Sequence, residues 1–159
     1  MPAMNVKYIN PFIETTVSVF REFVGVSVRP GKPFLYNAAT SLINYDISGI
    51  IGLAGEVLGV VIISFPKMVA LKTVSSVIKA ETKIFDDTVV DTIGELINII
   101  AGNTKRQMEE VRIIISLPSI VNGYNHKLAW ITGVPVVCIP FESDQGEFYV
   151  FVSMKDLIS

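Results

Sequence analysis

The chain is short of the residues that most catalytic and metal chemistry depends on. It has one cysteine, Cys138, which excludes an internal disulfide framework and any cysteine-rich metal site. It has one histidine, His126, which excludes a metal site built from clustered imidazoles. Long apolar runs are missing too. The longest stretches free of Asp, Glu, Lys and Arg are Ile113 to His126 and Leu128 to Phe141, and each contains Pro, Gly or Asn. A spanning helix needs about 20 mostly apolar residues, so no membrane insertion is expected. No Lys/Arg cluster stands out among 13 basic and 15 acidic residues, and the net charge is −2. No nucleic-acid partner is expected from that balance. With no apolar signal segment at the start, a cytoplasmic location is expected.

What is present is a core. Half of the 159 residues are apolar and 18% are charged, a balance that excludes disorder. The length fits one domain. Residues 5–155 form that expected domain, and Met1 to Met4 is set aside as a start segment.

Asn5 to Phe23 reads as a helix. Tyr8, Ile9, Phe12, Ile13, Val19, Phe20 and Phe23 recur at three- and four-residue spacing. Pro11 is placed in its first turns and Gly25 closes it. Arg29-Pro30-Gly31-Lys32-Pro33 reads as a loop. From Tyr36 to Phe65 the chain reads as extended, with two β-rich runs joined as a hairpin around Ala54-Gly55-Glu56. Hairpin geometry explains Gly49, Gly52, Gly55 and Gly59, which match no phosphate-binding fingerprint. Pro66 opens a second helix running to about Ala80. Asp86 and Asp87 suit the start of a third, which extends to about Met108, with Lys105 and Arg106 at its end. The remainder is β-like: Val111 to Leu117, a kink at Pro118, Ser119 to Val121, Val134 to Phe141 and Phe148 to Val152. Strands joined by short turns pair antiparallel. The expected class is therefore α+β, one antiparallel sheet with long helices packed on it. The Val134–Ile139 strand has few charges and reads as a sheet edge open to pairing.

The third helix carries the candidate chemistry. At 100° per residue, Asp91, Glu95 and Asn98 fall within one narrow stripe, opposite Ile93, Leu96, Ile97 and Ile100. Gly94 and Gly102 flank that stripe. Glycine inside a helix costs about 1 kcal/mol relative to alanine, and asparagine is also a poor helix former. Three polar residues on a helix are most often a solvated face. The glycines either admit something close to the backbone or pack within the fold. Elsewhere, His126 reads as a solvated turn residue, Cys138 as a buried small apolar residue, Trp130 as a core or sheet-face residue, and Asn103 as turned toward the core.

Asp91-Thr-Ile-Gly-Glu95-Leu-Ile-Asn98 resembles the signature of the CheC/CheX/FliY family of chemotaxis phosphatases. The continuation Ile99-Ile100-Ala101-Gly102-Asn103, the Gly-punctuated hairpin from Ile51 to Phe65 and the segment Leu117-Pro118-Ser119-Ile120-Val121-Asn122-Gly123 resemble the CheX branch. The Asn98-to-Pro118 spacing favours that branch over CheC. The resemblance implies a phosphatase acting on the aspartyl phosphate of a CheY-type response regulator. It implies that Asn98 positions the attacking water and that Glu95 pairs with the receiver's lysine. Asp91, Gly94 and Gly102 are then expected to contact the partner. No cofactor is expected on this chain, and Mg²⁺ is expected on the receiver. A homodimer through the β-sheet is implied as well. The first helix has Asn10 and Glu14 at matching positions but Val17 where the second asparagine of a duplicated motif would stand, so one active site per chain is expected. The alternative is a non-catalytic module that binds a receiver or the flagellar switch.

Overall fold

The computed structural model describes residues 4–157. The first helix, α1 (Val6–Val19), begins at Asn5, whose side chain accepts a hydrogen bond from the Lys7 N–H. Pro11 stands in its second turn, so the Lys7 carbonyl lacks its helical donor. The helix runs on into one π turn, Phe20–Val24, and stops at Gly25, whose φ of 80° suits glycine. Phe20, the first residue of this turn, stacks its ring on Phe148, with ring centres 4.5 Å apart.

Two short strands follow: β1 (Arg29–Pro30), inside the segment that the sequence reads as a loop, and β2 (Phe34–Leu35), just after it. Next comes the hairpin β3 (Ile47–Gly55) and β4 (Gly59–Phe65), in register from Ile47 opposite Phe65 to Leu53 opposite Gly59. Gly55 turns the chain with φ 97°, and at Gly59 an added Cβ would strike the Ser153 carbonyl. Residues 36–46 form a turn-containing connection instead of the expected extended run. Then come α2 (Lys67–Ile78), for which Pro66 is the N-cap, and α3 (Asp87–Gln107). The chain ends through β5 (Ile113–Ile115), β6 (Ser119–Asn122), β7 (Val136–Ser143) and β8 (Gly146–Met154).

The strands make one antiparallel sheet in the order β1-β7-β8-β4-β3-β5, with β2 also on β7 and β6 also on β3. The expected free edge at Val134–Ile139 is therefore corrected. Both β1 and β2 pair with β7, for example Phe34 with Cys138 and Arg29 with Glu142. Short edge strands carrying proline are a common guard against sheet-to-sheet association.

All three helices pack on one face of the sheet, where Phe12, Phe65, Ile93, Ile97 and Phe148 are fully buried. The opposite face is covered as well. Tyr45, Ile62, Val136, Cys138 and Phe151 form a second buried cluster under Tyr36, Leu128 and Trp130. His126 belongs to this cover and is not the solvated turn residue expected. Its Nδ1 lies 3.0 Å from the Gly123 carbonyl, which only accepts, so Nδ1 carries a proton. Nε2 lies 2.8 Å from the Ser48 hydroxyl, which is itself 2.7 Å from the Ser64 hydroxyl, so the three groups form one hydrogen-bonded chain. The ring meets Tyr45 edge-on. Met4, set aside in the sequence reading, packs against the helix-side core; residues 1–3 of that segment lie outside the described residues. No helix among the described residues is long and apolar enough to cross a membrane.

Candidate functional site

The local sequence fixes α3 and therefore which way each of its side chains faces. Asp86 caps it, accepting from the Val89 N–H at 3.1 Å. Such a cap contributes about 1 kcal/mol. Val89, Ile93, Leu96, Ile97, Ile100 and Ala101 are buried on one side, and Lys105 and Arg106 complement the C-terminal end of the helix dipole. The opposite side is left to solvent. Asp91 and Glu95 are exposed there and Asn98 is half-buried. Glu95 and Asn98 lie one turn apart, which puts their Cβ atoms about 5–6 Å from each other.

The acidic character of this face extends further than the stripe identified in the sequence. Asp87 is exposed one turn before Asp91, so carboxylates stand at 87, 91 and 95 in one row. Like charges four apart cost a helix a few tenths of a kcal/mol per pair. Among the described residues the one ion pair is Lys83 with Glu81, so no cation offsets the row.

The two glycines have different surroundings. Gly94 is buried, and a Cβ there would sit 3.7 Å from both the Pro118 Cγ and the Ile120 Cδ1. That is ordinary contact distance, so the β5–β6 segment leaves room for a methyl group but not for a long side chain. Gly102 is half-buried with nothing within 4 Å of an added Cβ. It does not line the groove that contains the other four residues of the candidate set.

That groove has a volume of about 510 Å³. One wall is Asp91, Glu95 and Asn98; Gly94 and Val90 lie at its base; the other wall is Leu117, Pro118 and Ile120. The apolar wall escaped the sequence reading because it arises from register. Leu53 pairs with Ile115 and Ile50 with Ser119. Between these pairs β3 has Ile51 and Gly52, while the edge chain has Ser116, Leu117 and Pro118. The extra residue is a bulge, a device that re-aims a side chain at a sheet edge. Here it turns Leu117 outward, where the residue is 87% exposed.

Other side chains considered from the sequence lie elsewhere. Asn103 is half-buried rather than turned into the core; its neighbour Thr104 is the buried residue, and the Thr104 Oγ1 has no hydrogen-bond partner. Cys138 is buried in the second core, and that burial pushes its thiol up to about 12. Trp130 packs on Tyr36 and Phe151 over the sheet face.

Known proteins share both the fold and the sequence pattern. Thermotoga maritima CheX, a CheY-P phosphatase, is 28% identical over 128 residues, covering 79% of this chain and 81% of that protein. A CheC-like superfamily protein from Shewanella sp. PV-4 superposes with a TM-score of 0.87 at 28% identity, covering 95% of this chain and 99% of that one. CheX in the CheX–CheY–BeF3–Mg²⁺ complex from Borrelia burgdorferi superposes with a TM-score of 0.82 at 30% identity, covering 95% and 99%. The family model described as chemotaxis phosphatase CheX matches residues 47–142, which takes in the hairpin, α3 and the whole groove. With more than half of its length in that match, the chain belongs to the chemotaxis phosphatase CheX family.

Proposed function

We propose that this protein hydrolyses the aspartyl phosphate of a CheY-type receiver, with Asn98 holding the attacking water and Glu95 engaging the receiver's lysine. The observation that carries the reading is the solvent-facing Glu95/Asn98 pair in an open groove, on a helix whose other side is fully used by the core. An acyl phosphate is already activated. Its hydrolysis requires a water in line with the leaving carboxylate oxygen. The water oxygen bonds to phosphorus, the P–O bond to the aspartyl carboxylate breaks, and the water's proton leaves with the phosphate or to solvent. An asparagine amide both donates and accepts, so it can orient that water, but it has no proton to take up. Its contribution is positioning, which can supply several kcal/mol of the barrier.

Glu95 supplies a carboxylate beside the amide. Paired with a receiver lysine, it would fix the register of docking and draw that cation into the groove. The Mg²⁺ of the reaction is assigned to the receiver; the Borrelia CheX–CheY complex contains Mg²⁺ and beryllofluoride, a phosphoryl mimic, which supports that assignment. The protein is placed in the cytoplasm, with the receivers it would serve. A homodimer of about twice the 17.4 kDa chain mass is proposed as well. Because β1 and β2 cover β7, a sheet continuing across such a dimer would join through one of the short outer strands. Light scattering that returns a monomer at micromolar concentration rejects the dimer.

The functional test is the decay of a CheY-type receiver phosphorylated with acetyl phosphate, with and without the protein. Accelerated decay at catalytic concentrations supports the phosphatase. Binding without acceleration identifies a docking module instead.

A further inference from the structure

We infer that Leu117 is the apolar anchor by which the phosphorylated receiver is held against the Glu95/Asn98 stripe, setting affinity rather than turnover. This inference rests on the proposed phosphatase reading. A leucine that is 87% exposed on a groove wall gains nothing for the fold. Its backbone is nevertheless firmly held. The Ser116 N–H donates to the Gly52 carbonyl at 3.0 Å, and the Gly52 N–H donates to the Ser116 Oγ at 2.9 Å. The Ser116 hydroxyl donates to the Leu117 carbonyl at 2.8 Å. Pro118 restricts the residue before it to extended conformations. The bulge thus presents an apolar side chain on a rigid support, and rigid anchors lose little entropy on binding.

The occupant follows from the two walls. Unpaired carboxylates at Asp91 and Glu95 face across the groove from Leu117 and Pro118. A complementary surface must offer a cation and, next to it, an apolar depression. The phosphorylated face of a receiver brings the lysine beside its aspartyl phosphate to the first wall, so its neighbouring apolar surface meets Leu117. A free small phosphoester has nothing to offer the apolar wall.

Receiver dephosphorylation is measured against receiver concentration for the wild type and for Leu117→Ala, Leu117→Asp and Leu117→Met. A CheY-type receiver loaded with beryllofluoride and Mg²⁺ serves for direct binding. Truncating a buried leucine anchor is expected to raise KM and Kd about tenfold, with kcat within about twofold of wild type. Leu117→Asp is expected to bind more weakly still, and Leu117→Met close to wild type. Wild-type KM and Kd in both Leu117→Ala and Leu117→Asp overturn the inference. So does a fall in kcat at unchanged KM. A wild type that never speeds receiver decay overturns the phosphatase reading itself, and the anchor with it. Matching thermal midpoints confirm that the variants fold.

Discussion

Helices α1 and α3 pack on the same face of the sheet, and each carries a polar residue, a glutamate four positions on and a third residue three further. In α3 these are Asp91, Glu95 and Asn98; in α1 they are Asn10, Glu14 and Val17. Glu14 is exposed, as Glu95 is, and Val17 is half-buried, as Asn98 is. Two things separate the helices. Valine has no group with which to orient water. In addition, the residue before the glutamate is Gly94 in α3 and Ile13 in α1, and Gly94 lines the groove beside Pro118 and Ile120 where a side chain as long as isoleucine would intrude. A glutamate at the right helical spacing is therefore cheap to find. The amide and the cleft beside it are what distinguish α3.

The sharpest way to break the difference is to remove the amide. Asn98→Ala is expected to lower the turnover of a phosphorylated receiver by at least about 100-fold while leaving its binding nearly unchanged. Asn98→Val, which copies α1 onto α3, should do the same. Asn98→Asp should also be poor, since it adds a charge beside the phosphoryl group. The fold should survive all three, because the position lies on the solvent side of the helix. Binding and decay measured on one sample separate the two effects. Wild-type turnover in Asn98→Ala would remove Asn98 from the mechanism.

The converse substitution asks whether the amide alone suffices. Val17→Asn in the Asn98→Ala background is expected to recover less than about a tenth of wild-type turnover, since misplacement alone can cost 100-fold. Full recovery would show that the groove is dispensable.

Charge comes next in size. Glu95→Lys should weaken receiver engagement roughly tenfold and Glu95→Gln by less, while Glu14→Lys on α1 leaves the rate unchanged. Wild-type activity should fall as salt rises, in keeping with screening of the carboxylate row at 87, 91 and 95. Equal sensitivity at Glu14 and Glu95, read from decay rates at low salt, would erase the distinction between the helices.

The smallest expected effect concerns the glycine. An alanine Cβ at Gly94 would meet Pro118 and Ile120 at ordinary contact distance, so Gly94→Ala should raise stability by about 0.5–1 kcal/mol through helix propensity. Denaturant melts measure this. A loss of stability would mean that the groove wall already presses on the helix.

The elements that announce themselves in the sequence are those with a period and a cap. Asp86, the apolar set from Val89 to Ala101 and the terminal Lys105 and Arg106 mark α3 to within a residue or two. Gly25 marks the end of the first helical segment in the same way. The hairpin from Ile47 to Phe65 is legible from its β-rich runs. By contrast, β1 and β2 are two residues each, next to prolines, and no pattern can reveal them. Missing them led to the wrong edge for β7. His126 reads as solvated until Ser48 and the Gly123 carbonyl, 78 and three residues away, are seen beside it. The polar half of the groove is legible for the same reason α3 is. The apolar half depends on a bulge defined by pairing with a distant strand, which no local window contains.

The second core bears on how this protein meets oxidants. Thiolate is the form that reacts with peroxides and alkylating agents, and Cys138 is sealed between the sheet and its loop cover with its thiol held up at about 12. At neutral pH the folded chain therefore offers almost no reactive thiolate. In the unfolded chain the same thiol returns to its ordinary range near 8.5, so alkalinity favours unfolding: stability present below that pH drains away as pH climbs toward 12. At neutral pH the only route to a modified Cys138 is an opening of the sheet face itself. The single cysteine thus reports on opening of the loop-covered sheet face, the face opposite the helices.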